Sequence, residues 1–259
     1  MTDRVVGVVQ ARLGSTRLPA KVLEPIGGRP MVLRIADRLA RALRVDTVVL
    51  STSDDAGDDP LAVAAERDGL AVCRGPVDDI VGRLAGAAAT TGATTIVRVW
   101  GDCPFIDPAV VDRAVAEAEA QSADYVTNST FGDRTFPPGL DLEVYSTSLL
   151  ARMDAELDDA GLREFPAQFA VSAPDVRVVS LQYGRDLSAL HLTVDYPADL
   201  AAARVLAARL AAMGDPTDLE SLLDALASAG DEVRFGDGER NIEYRAFLAA
   251  RRPEHGRRS

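Results

Sequence analysis

Apolar positions along this chain fall into short continuous runs, separated by stretches in which they recur every three or four residues. Val5–Val9 is a continuous apolar run, the pattern of a parallel strand covered on both faces. Asp46–Thr52, Leu70–Cys73, Thr94–Trp100 and Asp124–Thr127 read as four further strands. Between them lie helical stretches. Pro30 opens the first at a favoured first position, with Val32, Ile35, Leu39 and Leu43 at helical spacing. Pro60–Asp68 is a helix closed by Gly69, and Val77–Thr91 and Pro108–Ala120 are two more.

Strand and helix alternating in this way predict an α/β fold: an open, twisted, mostly parallel sheet flanked by helices on both sides. After Asn128 the pattern loosens. Gly139–Ser146 reads as a strand, Ser146 caps a helix through Leu157, and Asp175–Tyr183 and Leu190–Val194 read as further strands. Helices are expected at Ala198–Met213, Leu219–Ala229 and Ile242–Arg251. The loosened middle reads as an insertion on the sheet, so residues 1–250 are expected to form one domain. Residues 251–259 form a basic tail, expected to be disordered and without a role.

Composition narrows the chemistry. The formal charge of −12 argues against a broad nucleic-acid surface, which needs basic patches to neutralise phosphates. The longest apolar runs are far shorter than the ~20 residues of a membrane span. The N-terminal run is too short for a signal-peptide core, so a cytoplasmic location and no membrane partner are expected. Two cysteines, Cys73 and Cys103, fit a reduced intracellular chain. With only two histidines, His191 and His255, a bound metal is expected to take carboxylate oxygens, which favours magnesium or manganese.

The loop after the first strand is the strongest local signal. Gln10 to Lys21 carries Arg12, Arg17 and Lys21 with Ser15, Thr16 and Gly14. Ligands of open α/β sheets bind at the carboxyl ends of strands. Hydroxyls, guanidinium forks, a point charge and a glycine are the groups a triphosphate needs. No Walker A pattern is present. Of 28 lysine plus arginine residues, Lys21 is the single lysine. Where a generic cation suffices this chain uses arginine, so position 21 calls for a compact ammonium.

The run Q-A-R-L-G-S-T-R-L-P-A-K resembles the nucleotide-binding signature of cytidylyltransferases that activate acidic sugars, the acylneuraminate and 3-deoxy-manno-octulosonate types among them. It is similar above all to the branch of spore coat polysaccharide biosynthesis protein F, often described as glycosyltransferase-like. The resemblance covers residues 4–210. It implies a nucleotide-diphospho-sugar-transferase-like, Rossmann-like domain and a homodimer. It also implies that Ala11, Arg12, Ser15, Arg17 and Lys21 hold the phosphates of CTP, with Lys21 at the reacting phosphate.

Asp102 stands in Gly101-Asp102-Cys103-Pro104, at the end of a strand. By itself it is a turn residue capping nearby amides or a carboxylate aimed into the crevice. Asp195, in Leu192-Thr193-Val194-Asp195, ends a strand and precedes a helix, where by itself it reads as an N-cap. The resemblance makes both ligands of magnesium, with manganese as an alternative, and leaves Asp199 in the first helical turn as structural. Residues 74–83 are similar to the family segment beside base and ribose, which implies nucleotide contacts for Arg74, Asp79 and Arg83. Asp79 and Arg83 read equally as an i,i+4 surface pair. Asp141 and Glu143, on one face of a strand, and Arg163 are the acceptor-side residues that the resemblance implies. Phe165 stands where the family often has histidine, and Asn241-x-x-Tyr244 matches a family tail pattern weakly.

The activity these readings imply is transfer of CMP from CTP to a small sugar-like acceptor, with release of pyrophosphate and with Lys21, Arg12 and Arg17 as catalytic residues. The alternatives are a glycosyltransferase using a finished nucleotide sugar on the same fold and a nucleotide sensor without turnover.

Overall fold

A computed structural model describes residues 3–129, 134–236 and 242–250. The expected tail at 251–259 and Asn241 lie outside the described residues. The first half alternates as the apolar pattern predicts: β1 (Val5–Gln10), β2 (Pro25–Ile26), β3 (Arg29–Pro30), α1 (Met31–Leu39), β4 (Thr47–Ser53), α2 (Asp59–Arg67), β5 (Ala71–Gly75), α3 (Ile80–Thr91), β6 (Thr95–Trp100), α4 (Pro108–Gln121) and β7 (Tyr125–Thr127). The second half holds β8 (Leu142–Ser146), α5 (Thr147–Glu156), α6 (Ala160–Glu164), α7 (Pro166–Ser172), β9 (Val178–Ser180), α8 (Pro197–Ala212), α9 (Leu219–Ala229) and α10 (Ile242–Ala250).

Seven strands form the central sheet in the order β5-β4-β1-β6-β8-β7-β9. All pairs are parallel except those made by β8, which runs antiparallel to both β6 and β7. The alternation of side chains along a strand sends Val5 and Val9 of β1 to one face and Val6 and Val8 to the other. One face packs Ile35 and Leu39 of α1, Val111 of α4, Leu206 of α8 and Leu222 of α9. The other packs Val81 and Leu84 of α3, Leu150 and Met153 of α5 and Ala170 of α7. A sheet covered on both sides explains why β1 reads as an unbroken apolar run. Among the described residues no helix is long and apolar enough to cross a membrane.

The loosened middle supplies β8 and β9 to the same sheet. β8 enters between β6 and β7, and the pairing sets Arg98 opposite Glu143. Both are buried, and Glu143 accepts from Arg98 (2.7 Å), from the Tyr125 hydroxyl (2.8 Å) and from the Tyr145 hydroxyl (2.8 Å). Burial alone would lower the arginine, but Glu143 outweighs it and holds the guanidinium above its ordinary pKa. Removing one charge of such a pair strands the other. Glu143→Gln is therefore expected to cost about 3–5 kcal/mol of stability, read from the midpoint of urea unfolding; an unchanged midpoint would show that the arginine relaxes to solvent.

Three sequence expectations are corrected. Leu190–Val194 is not a strand, because its backbone donors go to separate loops: Leu192 N–H to the Pro138 carbonyl (2.8 Å) and Val194 N–H to that of Asp102 (3.0 Å). The strand expected at Asp175–Tyr183 shortens to Val178–Ser180 at the sheet edge. Asp141 precedes β8 and does not share a strand face with Glu143, since its carboxylate accepts from Gly139 N–H (3.1 Å) and from Arg134 in a turn.

Candidate active site

β1 hands over to a loop whose backbone is already committed. Ala11 N–H extends the ladder to the Ser51 carbonyl (3.0 Å), and the Leu13 carbonyl accepts from Ser15 N–H (2.8 Å) and Ala20 N–H (3.2 Å). Leu13 N–H donates to Asp58 Oδ1 (2.6 Å), a buried carboxylate that also accepts from the Ser53 hydroxyl. Ala20 has a left-handed backbone, φ 55°, which costs a non-glycine residue about 1–2 kcal/mol. A single turn of 3-10 helix, Lys21–Leu23, begins directly after it. Lys21 is thereby turned inward and is only 8% exposed.

The Lys21 ammonium has three acceptors: the Val194 carbonyl (2.7 Å), Asp195 Oδ1 (3.0 Å) and Asp102 Oδ2 (3.1 Å). Arg17 adds a second cation on Asp195 Oδ1 at 2.7 Å, and its guanidinium lies over the Tyr196 ring. Three segments far apart in sequence meet here, and each is fixed by its own backbone. Gly101 lets the end of β6 lie against the end of β1, since a Cβ on it would come within 2.7 Å of the Ala11 Cβ. The Cys103 thiol donates to Asp102 Oδ1 at 3.6 Å, and burial holds that thiol well above its usual pKa, hence protonated. Asp195 is not a helix cap. Asp199, buried in the first turn of α8, takes that role by accepting from the N–H groups of Asp195 and Tyr196, both at 2.9 Å. Burial pulls the Lys21 ammonium down, yet Asp102 and Asp195 together prevail and leave it above its ordinary value.

These groups line a cleft of about 520 Å³ at the carboxyl ends of β1 and β6, a volume suited to a small ligand. Ala11, Arg12, Ser15, Arg17, Lys21, Arg83, Asp102, Asp141, Glu143 and Asp195 of the sequence-derived residues face it. Arg74, Asp79 and Arg163 do not. Arg74 is turned to Asp59 (2.7 Å) and the Ser53 and Asp55 carbonyls. Asp79 caps α3 by accepting from Gly82 N–H and takes a two-pronged bond from Arg163, 2.8 Å on each arm. The Asp79–Arg163 pair therefore clamps α3 to α6, and Arg83 turns inward instead of pairing with Asp79 along the helix surface.

Sequence reasoning missed several cleft residues. Trp100 and Arg98 sit two apart on β6 and so share a face, with the Arg98 guanidinium 4.6 Å from the indole centroid. His191 and Thr193 line the cleft in alternation with Asp195 along an extended segment, a spacing that could have identified them. Phe165, Tyr244 and Arg245 form part of the wall, and Phe165 packs against the rings of Tyr244 (5.5 Å) and Phe247 (4.8 Å) on α10. The aromatic residue at 165 thus has a packing role of its own.

Two carboxylates converging on one ammonium are a sparse donor set, and among the described residues no group of three or more histidine, cysteine or acidic side chains is placed to enclose a metal. That set fits magnesium or manganese shared with substrate phosphates, which takes one or two carboxylates, and does not fit an all-protein cage.

Residues 6–136 match the sequence profile described as cytidylyltransferase. The chain is 31% identical over 134 residues to the spore coat polysaccharide biosynthesis protein SpsF of Bacillus subtilis, covering 49% of this chain and 56% of that one. It is 41% identical over 114 residues to a 3-deoxy-manno-octulosonate cytidylyltransferase of Geobacter sulfurreducens, covering 43% and 44%. The matched region is about half the length of these curated relatives. A cytidylyltransferase structure from Leptospira borgpetersenii superposes with a TM-score of 0.82 at 26% identity, over 92% of this chain and all of that one.

Proposed function

The chain belongs to the cytidylyltransferase family, and from that premise we propose that it transfers CMP from CTP to a small sugar-like acceptor with release of pyrophosphate. The observation that carries this reading is the meeting of Lys21, Arg17, Asp102 and Asp195, drawn from three separate segments, at one end of the cleft.

In the proposed reaction an acceptor hydroxyl oxygen attacks the α-phosphorus of CTP and gives up its proton to water in the cleft. A new P–O bond forms as the anhydride bond to the β-phosphate oxygen breaks, and pyrophosphate carries away the electron pair. There is little covalent work for the protein in such a transfer, so positioning and charge neutralisation dominate. Arg12 and Arg17 supply forks for phosphate oxygens, and Ser15 and the backbone at Ala11 shape the loop around them. Lys21 holds Asp102 and Asp195 together at the cleft and puts an ammonium beside the reacting phosphate. Asp102 and Asp195 would hold the magnesium or manganese ion, which when bound neutralises phosphate charge. Asp141, on the same wall, faces the acceptor. The relative named for 3-deoxy-manno-octulosonate supports an acidic acceptor. Work as a homodimer in the cytoplasm completes the proposal.

The test is pyrophosphate release from CTP with a panel of sugar acids and sugar phosphates. Release is expected to stop in chelator and to return with magnesium. Full activity in chelator would remove Asp102 and Asp195 as metal ligands, and CTP binding without turnover for any acceptor would reject the transferase reading.

A further inference from the structure

The Lys21 end of the cleft belongs to the α1 and α8 face of the sheet: Val22 and Val194, its neighbours, pack in that core. The opposite side carries a second set of cations. Arg98 follows Ile96 at a two-residue interval on β6 and so points to the α3 face, where Ile96 is buried. Arg83 reaches the same place from the first turn of α3, its Cγ so near Gly75 that a Cβ there would approach to 2.9 Å.

Arg83 is 4% exposed and lines the cleft, yet among the described residues its side chain makes no hydrogen bond or ion pair, and its Nε is buried without an acceptor. Its closest charged neighbours include Arg98 and Arg12, and burial together with those two cations holds it below the ordinary arginine value. The carboxylates it senses are engaged elsewhere, Asp58 with Leu13 and Ser53 and Asp79 with Arg163 and Gly82. Arg98 has Glu143 as partner but also keeps its Nε buried without an acceptor. A buried guanidinium facing two others is unfavourable in the free protein. An oxyanion in the cleft relieves it, and the guanidinium fork suits carboxylate and phosphate.

We propose that Arg83 and Arg98 form a second oxyanion subsite, on the α3 side of the cleft, that takes the acidic group of the acceptor, apart from the phosphate site at Arg17 and Lys21. This rests on the reading of the cleft as a transferase site.

Trp100, the single tryptophan, lines the cleft beside Arg98 and reports occupancy by its fluorescence. The full chain and its Arg83→Gln variant are titrated with inorganic phosphate and with 3-deoxy-manno-octulosonate, with mannose as the neutral control, and separately with CTP and magnesium. Wild type is expected to saturate with both oxyanions and not with mannose. Arg83→Gln is expected to weaken the oxyanions by about ten- to a hundredfold, the worth of one or two charge-assisted hydrogen bonds, and to weaken CTP by less than it weakens the oxyanions. Its ligand-free melting temperature is expected to equal or exceed that of wild type, because an uncompensated buried charge is gone; a merely structural arginine would lower it. Unchanged oxyanion affinity in the variant, no saturable oxyanion response in wild type, or loss of CTP affinity alone overturns the subsite. If Arg83→Gln does not fold, Arg83→Lys carries the test, with intermediate oxyanion affinity in support and unchanged affinity against. Oxyanion binding that depends on Arg83 in a chain that releases no pyrophosphate would reject the transferase reading and leave the subsite standing.

Discussion

Arginine in place of Lys21 is expected to lower CTP-dependent pyrophosphate release by about 10²–10³-fold while the chain still folds. The slot at position 21 is built for a small cation: three acceptors at 2.7–3.1 Å converge on one nitrogen from a carbonyl and two carboxylates. A planar fork cannot meet three acceptors from three directions, and its extra bulk would push Asp102 and Asp195 apart. Lys21→Met separates the structural share from the catalytic one. It leaves Asp195 buried without its ammonium partner and is expected to cost about 3 kcal/mol, the low end for a buried pair, because Asp102 keeps 27% of its side chain exposed. The pH dependence follows from the raised lysine. A group whose pKa is higher in the folded state contributes its full stabilisation below its unfolded value and loses it as pH rises through the folded one. Wild type is therefore expected to lose stability relative to Lys21→Met only above the ordinary lysine value of 10.5. Urea midpoints from pH 7 to 11 and a pyrophosphate assay decide both points, and near-wild-type turnover in Lys21→Arg would remove the lysine from the mechanism.

Gly139→Ala is expected to cost about 3–5 kcal/mol of stability, from backbone strain and overpacking together. The residue has φ 106°, and a Cβ there would lie 2.6 Å from the Leu192 carbonyl carbon and 2.8 Å from Thr193 N. Neither neighbour is a side-chain tip that can swing aside. Both belong to the backbone that carries Asp195, so the variant is expected to lose turnover as well as stability. An unchanged unfolding midpoint would mean that residues 192–193 shift freely, and with them one wall of the cleft.

The parallel part of the sheet was legible because both of its faces are covered, so β1, β4 and β6 appear as apolar runs whatever their neighbours. β8 also reads as a strand, but nothing in its composition says that it runs antiparallel or enters between β6 and β7; that order follows from long-range pairing with Arg98 opposite Glu143. The extended segment 190–194 has the composition of a strand and lacks a ladder, because its donors find two unrelated loops. At the site, loop 10–21 and the two aspartates stood out as charge in unexpected places. Arg74 and Arg163 stood out equally and are spent on local clamps, a distinction that depends on which carboxylate lies nearest in space. Arg83 looked like half of a surface pair because one-dimensional spacing cannot show that Asp79 is taken by a residue 84 positions away.

Having one lysine in a chain so rich in arginine turns the buried ammonium into a natural spectroscopic handle. Reductive methylation with isotope-enriched formaldehyde can label only one side-chain amine in this protein, the one gripped by Asp102 and Asp195. Its resonance would record, without mutation, whether that grip is held or released as nucleotide arrives.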